Sequence, residues 1–457
     1  MAIEKSKPMY FASLRIKNVK CFGDEQILDL KNNSGAISRW TVILGNNGLG
    51  KTTLLKCLVW MTITEEIDPD KKEQAKIPID VTAVKPAIDG IEDEEYEQLS
   101  RIGEEVTSTI GAILTNGTML GSIPKGEEII DYSIEFKTIH GKLEEVKLPN
   151  LIPLKEYNAP IIYAYSASRH MELKNTDNGE LFNPVSNLFS ESGELYDATE
   201  QLLYQDHAAL QENPRGRESA LLEKMKNLIS DLLPDVKSAD DIMIYAKERK
   251  VKIKTEDGNI PLDSLSLGNK TMIAWSVDLA LKMFSQNLES PSPLEEPAVV
   301  IIDEIDLHLH PTWQRELKQI LTNHFPNTQF ISTSHSPFIA QSSEEDNLAV
   351  LQRNTNNQVI IENDPYIVKG WRIGQVITSD LFGVNSERSP EIADLEEKRR
   401  EILDIIEPLG EQQEKELKDL NEKLENLIPL ADNEEDQKLM EQIRKTTDFL
   451  KNRGKLI

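Results

Sequence analysis

Lys51 follows a glycine-rich run, Gly45-Asn46-Asn47-Gly48-Leu49-Gly50, and precedes Thr52-Thr53, so the segment fits G-x-x-x-x-G-K-[ST]. Each residue type has a physical task in that pattern. Glycines leave no Cβ in the way, so backbone N–H groups from Asn46, Asn47, Gly48 and Gly50 can curl around phosphate oxygens. Lys51 reaches the β- and γ-phosphates, the Thr52 hydroxyl ligates Mg²⁺, and Thr53 completes the candidate phosphate contacts. Far along the chain, Asp303-Glu304 ends the apolar run Val299-Val300-Ile301-Ile302. Two adjacent carboxylates after such a run can hold a metal and act on a water. Asp303 is expected to hold Mg²⁺, directly or through water, and Glu304 to orient or deprotonate the attacking water. The two segments read as halves of one site for ATP and Mg²⁺.

Such groups need elements that bring them together. Trp40-Thr41-Val42-Ile43-Leu44 is expected as a strand before the glycine-rich loop, and Leu54 to Val59 as a helix after it, whose N-terminus adds anion stabilisation. Ala298 to Ile302 is continuously apolar, as a parallel strand buried on both faces should be. Thr328 to Thr333 is expected as another strand and delivers Ser334-His335-Ser336. The pattern is that of an α/β fold with a mixed sheet flanked by helices.

A third motif, Leu265-Ser266-Leu267-Gly268-Asn269-Lys270, precedes a helical pattern over Thr271 to Phe284. It resembles the signature motif of ABC-type ATPases, although Asn269 stands where Gln or Glu is common. The order of phosphate loop, signature, Asp-Glu strand and histidine is also the ABC order. The resemblance implies that Ser266 and Gly268 contact the γ-phosphate of a nucleotide held by the opposite subunit. It further implies that His335 is the switch histidine that senses the γ-phosphate. Asp306-Leu307-His308-Leu309-His310-Pro311 matches the loop that crosses the dimer interface, a reading preferred here over metal binding by His308 and His310. At the N-terminus, Leu14 to Phe22 and Gln26 to Leu30 read as two strands and resemble the opening of RecF, SMC and OLD-type ATPases.

Composition narrows the class. With 457 residues the chain can bury a large core. It has no run of about 18 apolar residues and no signal peptide, so a cytoplasmic protein with no membrane span is expected. Cys21 and Cys57 are isolated and give neither a disulfide framework nor zinc spacing. A formal net charge of −27 argues against an evenly basic nucleic-acid surface. Lys247 to Lys254 alternates charge with apolar residues, the pattern of an edge strand with a basic face. A solvated strand is the plainer reading, and a local DNA contact the alternative.

The interval between Lys51 and Ser266 lacks the sustained heptads of a long coiled coil. It carries an acidic stretch from Ile88 to Val106, strand-like segments from Ile129 to Leu148 turning at Ile139-His140-Gly141-Lys142, and a buried strand, Ile161 to Tyr165, ending near Arg169. Arg169 reads either as a residue near the nucleotide or as a structural ion pair. Residues 191–232 read as helices broken at Asn213-Pro214. The expected organisation is an ABC-type P-loop head over residues 1–389, with insertions at about 62–160 and 190–255, and an acidic helical tail over 390–457 for assembly or partner docking. The tail has three apolar stripes: Ile392, Leu395, Ile402 and Ile406; Leu417, Leu420, Leu424 and Leu427; Leu439, Ile443 and Leu450. Residues 345–457 show no acidic set of the kind a Toprim nuclease needs. A compact head, no long coiled coil and no nuclease, with the Trp371 to Gly383 segment, make the chain similar to the PtuA-like ATPases of Septu antiviral defence. That resemblance implies an ATPase that self-assembles, at least as a head-to-tail dimer, and controls a separate HNH nuclease acting on DNA. A retron-associated defence ATPase, a RecF/SMC-like repair ATPase and a nucleotide-binding scaffold with little turnover remain the alternatives.

Overall fold

The apolar runs flanking the candidate chemistry become neighbouring parallel strands of one sheet. In the computed structural model the residues described are 7–61, 63–65, 84–86, 105–115, 129–140, 142–147, 157–158, 161–171, 184–189, 194–211, 216–233, 235–256, 258–343, 347–363, 368, 370–379, 381–384, 386, 388–404, 410–427 and 434–453. Much of the acidic stretch, the Asn213-Pro214 break, Gly141, Ile406 and Pro429 lie outside them.

In chain order, β1 (Tyr10–Lys17) and β2 (Gln26–Asp29) precede β3 (Trp40–Gly45) and α1 (Lys51–Trp60). Strands β4 (Glu105–Thr115), β5 (Ile129–Ile139), β6 (Lys142–Lys147) and β7 (Ile162–Tyr165) follow. Next come α2 (Ala198–Gln211), α3 (Arg217–Asp231), β8 (Ile242–Tyr245), β9 (Lys250–Thr255), β10 (Gly258–Pro261) and α4 (Leu267–Gln286). The head closes with β11 (Ala298–Ile302), α5 (Pro311–His324), β12 (Thr328–Thr333), α6 (Pro337–Ser342), β13 (Asn347–Arg353) and β14 (Val359–Asn363). Helices α7 (Pro390–Leu403), α8 (Glu411–Leu427) and α9 (Glu434–Arg453) end the chain.

The central sheet runs β7-β11-β12-β3-β13-β14, and only the last pairing is antiparallel. Strands β11 and β12 are buried at every residue, which is why their sequences show no alternation. Because β7, β11, β12 and β3 are parallel, their C-terminal ends share one edge. The glycine-rich loop, Asp303-Glu304, His335 and Arg169 all leave from that edge, where open α/β sheets bind ligands.

Inside the expected 62–160 insertion, Ile63–Glu65 and Val84–Pro86 pair with each other, but β4, β5 and β6 do not form a separate sheet. They pair with the N-terminal strands in one antiparallel sheet, β2-β1-β4-β5-β6. On β5 the side chains alternate: Ile130, Tyr132, Ile134 and Phe136 are buried while Asp131 and Ser133 face out. The hairpin from β5 to β6 turns where the sequence expects it, with His140 at φ +49°. This sheet shares one hydrophobic core with α1 and the central sheet, including Phe11, Leu14, Leu54, Leu58, Ile134 and Ile301. Gln329 on β12 stitches the two sheets: its Oε1 accepts from Phe11 N at 3.0 Å and its Nε2 donates to Phe11 O at 2.8 Å. Both amide groups of a fully buried Gln are thereby satisfied.

A second core, with Leu202, Met225, Ile229, Val251, Ile253, Ile273 and Val277, packs α2 and α3 with β9 and α4. Here the edge-strand reading of Lys247 to Lys254 is corrected. Residues Ala246–Glu248 form a 3-10 turn, Arg249 has φ +50°, and β9 is the middle strand between β8 and β10. Three basic groups of this stretch have acidic partners: Arg249 with Glu200 at 2.8 Å, Lys252 with Glu248 at 3.1 Å and Lys254 with Asp241 at 3.8 Å.

The chain divides into two compact units, Met1–Ile373 and Gly374–Ile457, so the second begins ahead of the boundary at 390 drawn from composition. Within the second unit the stripes of α7, α8 and α9 pack on one another through Ile402, Leu417 and Leu420, and through Leu424 and Ile443. Leu427 is left exposed at 39%. Buried Arg399 donates from Nε to Asn421 Oδ1 at 2.9 Å, and Asn421 Nδ2 donates to Thr447 Oγ1 at 3.2 Å. These bonds tie the three helices in register.

Candidate nucleotide site

The glycine-rich loop is shaped by what lies beneath it. Gly50 has φ +89°, and a Cβ there would lie 2.6 Å from Cys21 Sγ and 2.8 Å from Phe22 Cε2. The N-terminal Cys21-Phe22 turn therefore acts as the floor of the loop, and only glycine fits above it. Asn46, Asn47 and Gly48 are exposed at the mouth, whereas Thr53 is buried on α1. Helix α1 starts at Lys51 with no side-chain cap, so its first N–H groups face the loop.

Lys51 is 7% exposed. Its Nζ donates to Gly45 O at 2.7 Å and Asn46 O at 3.3 Å, and meets His335 Nε2 at 2.8 Å. An ammonium has only protons to offer, so Nε2 accepts and the ring proton sits on Nδ1. Burial, then the Lys51 charge, holds the His335 imidazole below its ordinary pKa, with Glu304, Asp306 and Asp303 opposing. Burial also lowers the Lys51 ammonium, against the same three carboxylates.

Thr52 Oγ1 donates to Asp303 Oδ2 at 2.6 Å, and Thr333 Oγ1 donates to Asp303 Oδ1 at 2.5 Å. Both Asp303 oxygens are thus aimed, one at the glycine-rich loop and one at the end of β12. Thr333 Oγ1 also accepts from Glu304 N at 2.7 Å. Glu304 has φ +48°, a left-handed conformation that costs a non-glycine residue energy and persists only where neighbours enforce it. Arg169 is the second enforcer. Its Nη1 donates to Asp303 O at 3.0 Å and its Nη2 to Glu304 O at 2.9 Å. Arg169 is buried, and burial pulls its guanidinium down to about 10 against the pull of Asp303, Asp306 and Glu304. Its role is to hold the backbone that carries the two carboxylates, through bonds to carbonyls rather than a carboxylate pair. Replacing Arg169 with Gln is expected to cost about 2–4 kcal/mol of stability, because two charge-assisted bonds to buried carbonyls are lost. Thermal unfolding checks this; an unchanged midpoint would contradict the role.

Ser266 caps α4: its Oγ accepts from Asn269 N at 3.3 Å. Gly268 packs on the loop after Glu304, since a Cβ there would lie 2.0 Å from His308 O. The start of α4 is therefore seated on His308, whose own φ is +65°. Among the described residues no hydrogen bond joins Ser266 or Gly268 to the glycine-rich loop. Helix α4 is also tied to β7, because Tyr165 Oη donates to buried Asp278 Oδ2 at 2.8 Å. His310 caps α5, its Nδ1 accepting from Thr312 N at 3.4 Å. Among the described residues no group of three His, Cys, Asp or Glu side chains is placed to hold a metal ion. Among the same residues no helix is long and apolar enough to cross a membrane.

The motif residues Lys51, Thr52, Asp303 and His335 thus meet in one hydrogen-bonded cluster with Glu304 beside it. Arg169 completes it through the Asp303 and Glu304 carbonyls, and Thr333 through the Asp303 carboxylate and the Glu304 N–H. The sequence motifs named neither residue in that role, because bonds to backbone groups and between distant segments leave no spacing pattern.

A family profile described as "AAA domain, putative AbiEii toxin, Type IV TA system" matches residues 147–340, the interval that carries Arg169, Ser266, Asp303, Glu304 and His335. The chain is 25% identical over 401 residues to the Retron Vc95 probable ATPase of Vibrio cholerae serotype O1 biovar El Tor, covering 74% of each protein. It is 23% identical over 446 residues to the Septu protein PtuA of Bacillus mycoides (strain KBAB4), covering 97% of this chain and 54% of that one. The chain therefore spans about half the length of that relative. The SMC head domain from Thermotoga maritima aligns at 14% identity with a TM-score of 0.38, covering 77% of this chain and 98% of that one. The fold assignment rests on strand order and not on that superposition. In sequence, the chain is thus similar to retron ATPases and to Septu PtuA proteins.

Proposed function

We propose that this chain binds ATP with Mg²⁺ and hydrolyses it to ADP and phosphate, as the cytoplasmic ATPase subunit of an anti-phage defence complex. The observation that carries the reading is the 2.6 Å bond from Thr52 Oγ1 to Asp303 Oδ2, beside the 2.8 Å contact of Lys51 with His335. It unites two motif halves that the chain separates widely. The residues fit the ligand: an uncapped helix start, a buried ammonium, and a hard-oxygen pair suited to Mg²⁺. When bound, Mg²⁺ supplies charge neutralisation for the phosphates, with Thr52 and Asp303 as its holders. Lys51 and the loop amides grip the β- and γ-phosphates. Glu304 orients the attacking water and takes its proton, and His335 reads the γ-phosphate.

Ser266 and Gly268 serve the site of a second copy, so the working unit is at least a head-to-tail dimer. The dimer, with the 390–457 tail as a docking module, engages a separate HNH nuclease that acts on DNA. The PtuA and retron relatives support this assembly by analogy of family. Mixing Lys51→Ala chains with Ser266→Arg chains tests it, because each mixed dimer regains one intact site. Turnover is expected to reappear on mixing. Two inactive chains that stay inactive when mixed, or a chain that stays monomeric with ATP, would overturn the dimer. Co-purification with the HNH protein, lost in a chain ending at Ser389, tests the partner reading.

A further inference from the structure

Gln314 is the polar exception on the inner face of α5, whose other buried residues are Leu317 and Leu321. A buried amide is costly unless each polar group finds a partner. Gln314 uses both ends. Its Nε2 donates to Leu309 O at 2.9 Å and is 3.4 Å from Asp306 O, both in the loop after Glu304. Its Oε1 accepts from Ser336 Oγ at 2.6 Å, in the loop that carries His335. Ser336 in turn accepts from Phe338 N at 3.0 Å and Ile339 N at 3.3 Å, and its own N–H donates to Ser334 Oγ at 2.9 Å. Packing alone would be served by a leucine or methionine here, as at Leu317 and Leu321. The amide is what joins the two loops.

We propose that Gln314 is a positioning residue that locks the loop following Glu304 to the loop bearing His335, so that one amide sets the water side and the phosphate side of the site together. Its effect on catalysis rests on the ATPase reading above; the mechanical coupling does not. Gln314 touches neither phosphate nor water and acts through Leu309, Asp306 and Ser336.

Hydrogen exchange on the nucleotide-free chain tests the coupling directly. In Gln314→Met the amides of Leu307 and Leu309, and those of Ser336, Phe338 and Ile339, should exchange together about tenfold faster, while β3 keeps its protection. With ATP, kcat should fall about tenfold while the ATP Kd changes by less than about twofold. Ser336→Ala should also lower kcat, and the double variant should lose less than the sum of the two single losses, because the two side chains share the Ser336 Oγ to Gln314 Oε1 bond. Gln314→Glu keeps the shape, loses the donor to Leu309 O, and should loosen both loops if Gln314→Met does not fold. A response confined to one loop, an unchanged kcat, or additive single effects would overturn the proposal. If the parental chain binds no ATP, the ATPase reading fails, and the exchange result still decides the coupling.

Discussion

Glu304→Gln should lower kcat by about a hundredfold to ten-thousandfold, the range expected when a general base is removed. ATP affinity should change by less than about threefold, since no phosphate contact is lost. The structure explains why the change can be so selective. The Glu304 backbone is held from both sides, its N–H by Thr333 Oγ1 and its carbonyl by Arg169 Nη2, and neither bond uses the carboxylate. Glutamine has nearly the same shape and keeps the left-handed conformation as well as glutamate does. The loss is therefore confined to the carboxylate proposed to accept the water's proton. Single-turnover phosphate release alongside equilibrium nucleotide binding measures both numbers. Turnover at the parental rate would remove Glu304 from the chemistry.

Lys51→Met should act on the other quantity. Charge-assisted bonds to phosphate oxygens are lost, and about 3 kcal/mol of binding corresponds to an affinity loss of about a hundredfold. The unliganded fold should tolerate the change. Methionine matches the lysine stem, and the ammonium it removes is already disfavoured by burial, which pulls its pKa down. At one ATP concentration, ATP should then raise the unfolding midpoint of the parental chain, by the linkage of ligand to the folded state, and raise that of Lys51→Met by clearly less. Equal midpoint shifts in both chains would place the nucleotide elsewhere.

How far the site could be read from sequence depended on the kind of interaction. Strand β11 was legible because a parallel strand buried on both faces can be continuously apolar, and β3 and β12 because apolar centres, Val42-Ile43-Leu44 and Phe330-Ile331, lead to motif residues at their ends. Strand β9 was not, since the alternation of Lys250 to Thr255 is the same whether one or two neighbours flank it, and β8 and β10 flank it on both sides. The β4 to β6 strands looked like an insertion because pairing with β1 is non-local and leaves no mark on composition. Arg169 lay open between two readings because its partners are the carbonyls of Asp303 and Glu304, and a carbonyl has no sequence identity. Gln314 was silent for a related reason: one polar residue on a helix reads as solvated face until its burial is seen.

Phosphate release from ATP by the purified full chain, with Mg²⁺ and with excess chelator, tests the central claim most directly. Slow, Mg²⁺-dependent release is predicted, abolished in Asp303→Ala, whose lost carboxylate is the partner of both Thr52 and Thr333. Release that persists in Asp303→Ala, or a parental chain that neither binds nor turns over ATP with Mg²⁺ present, would contradict the account.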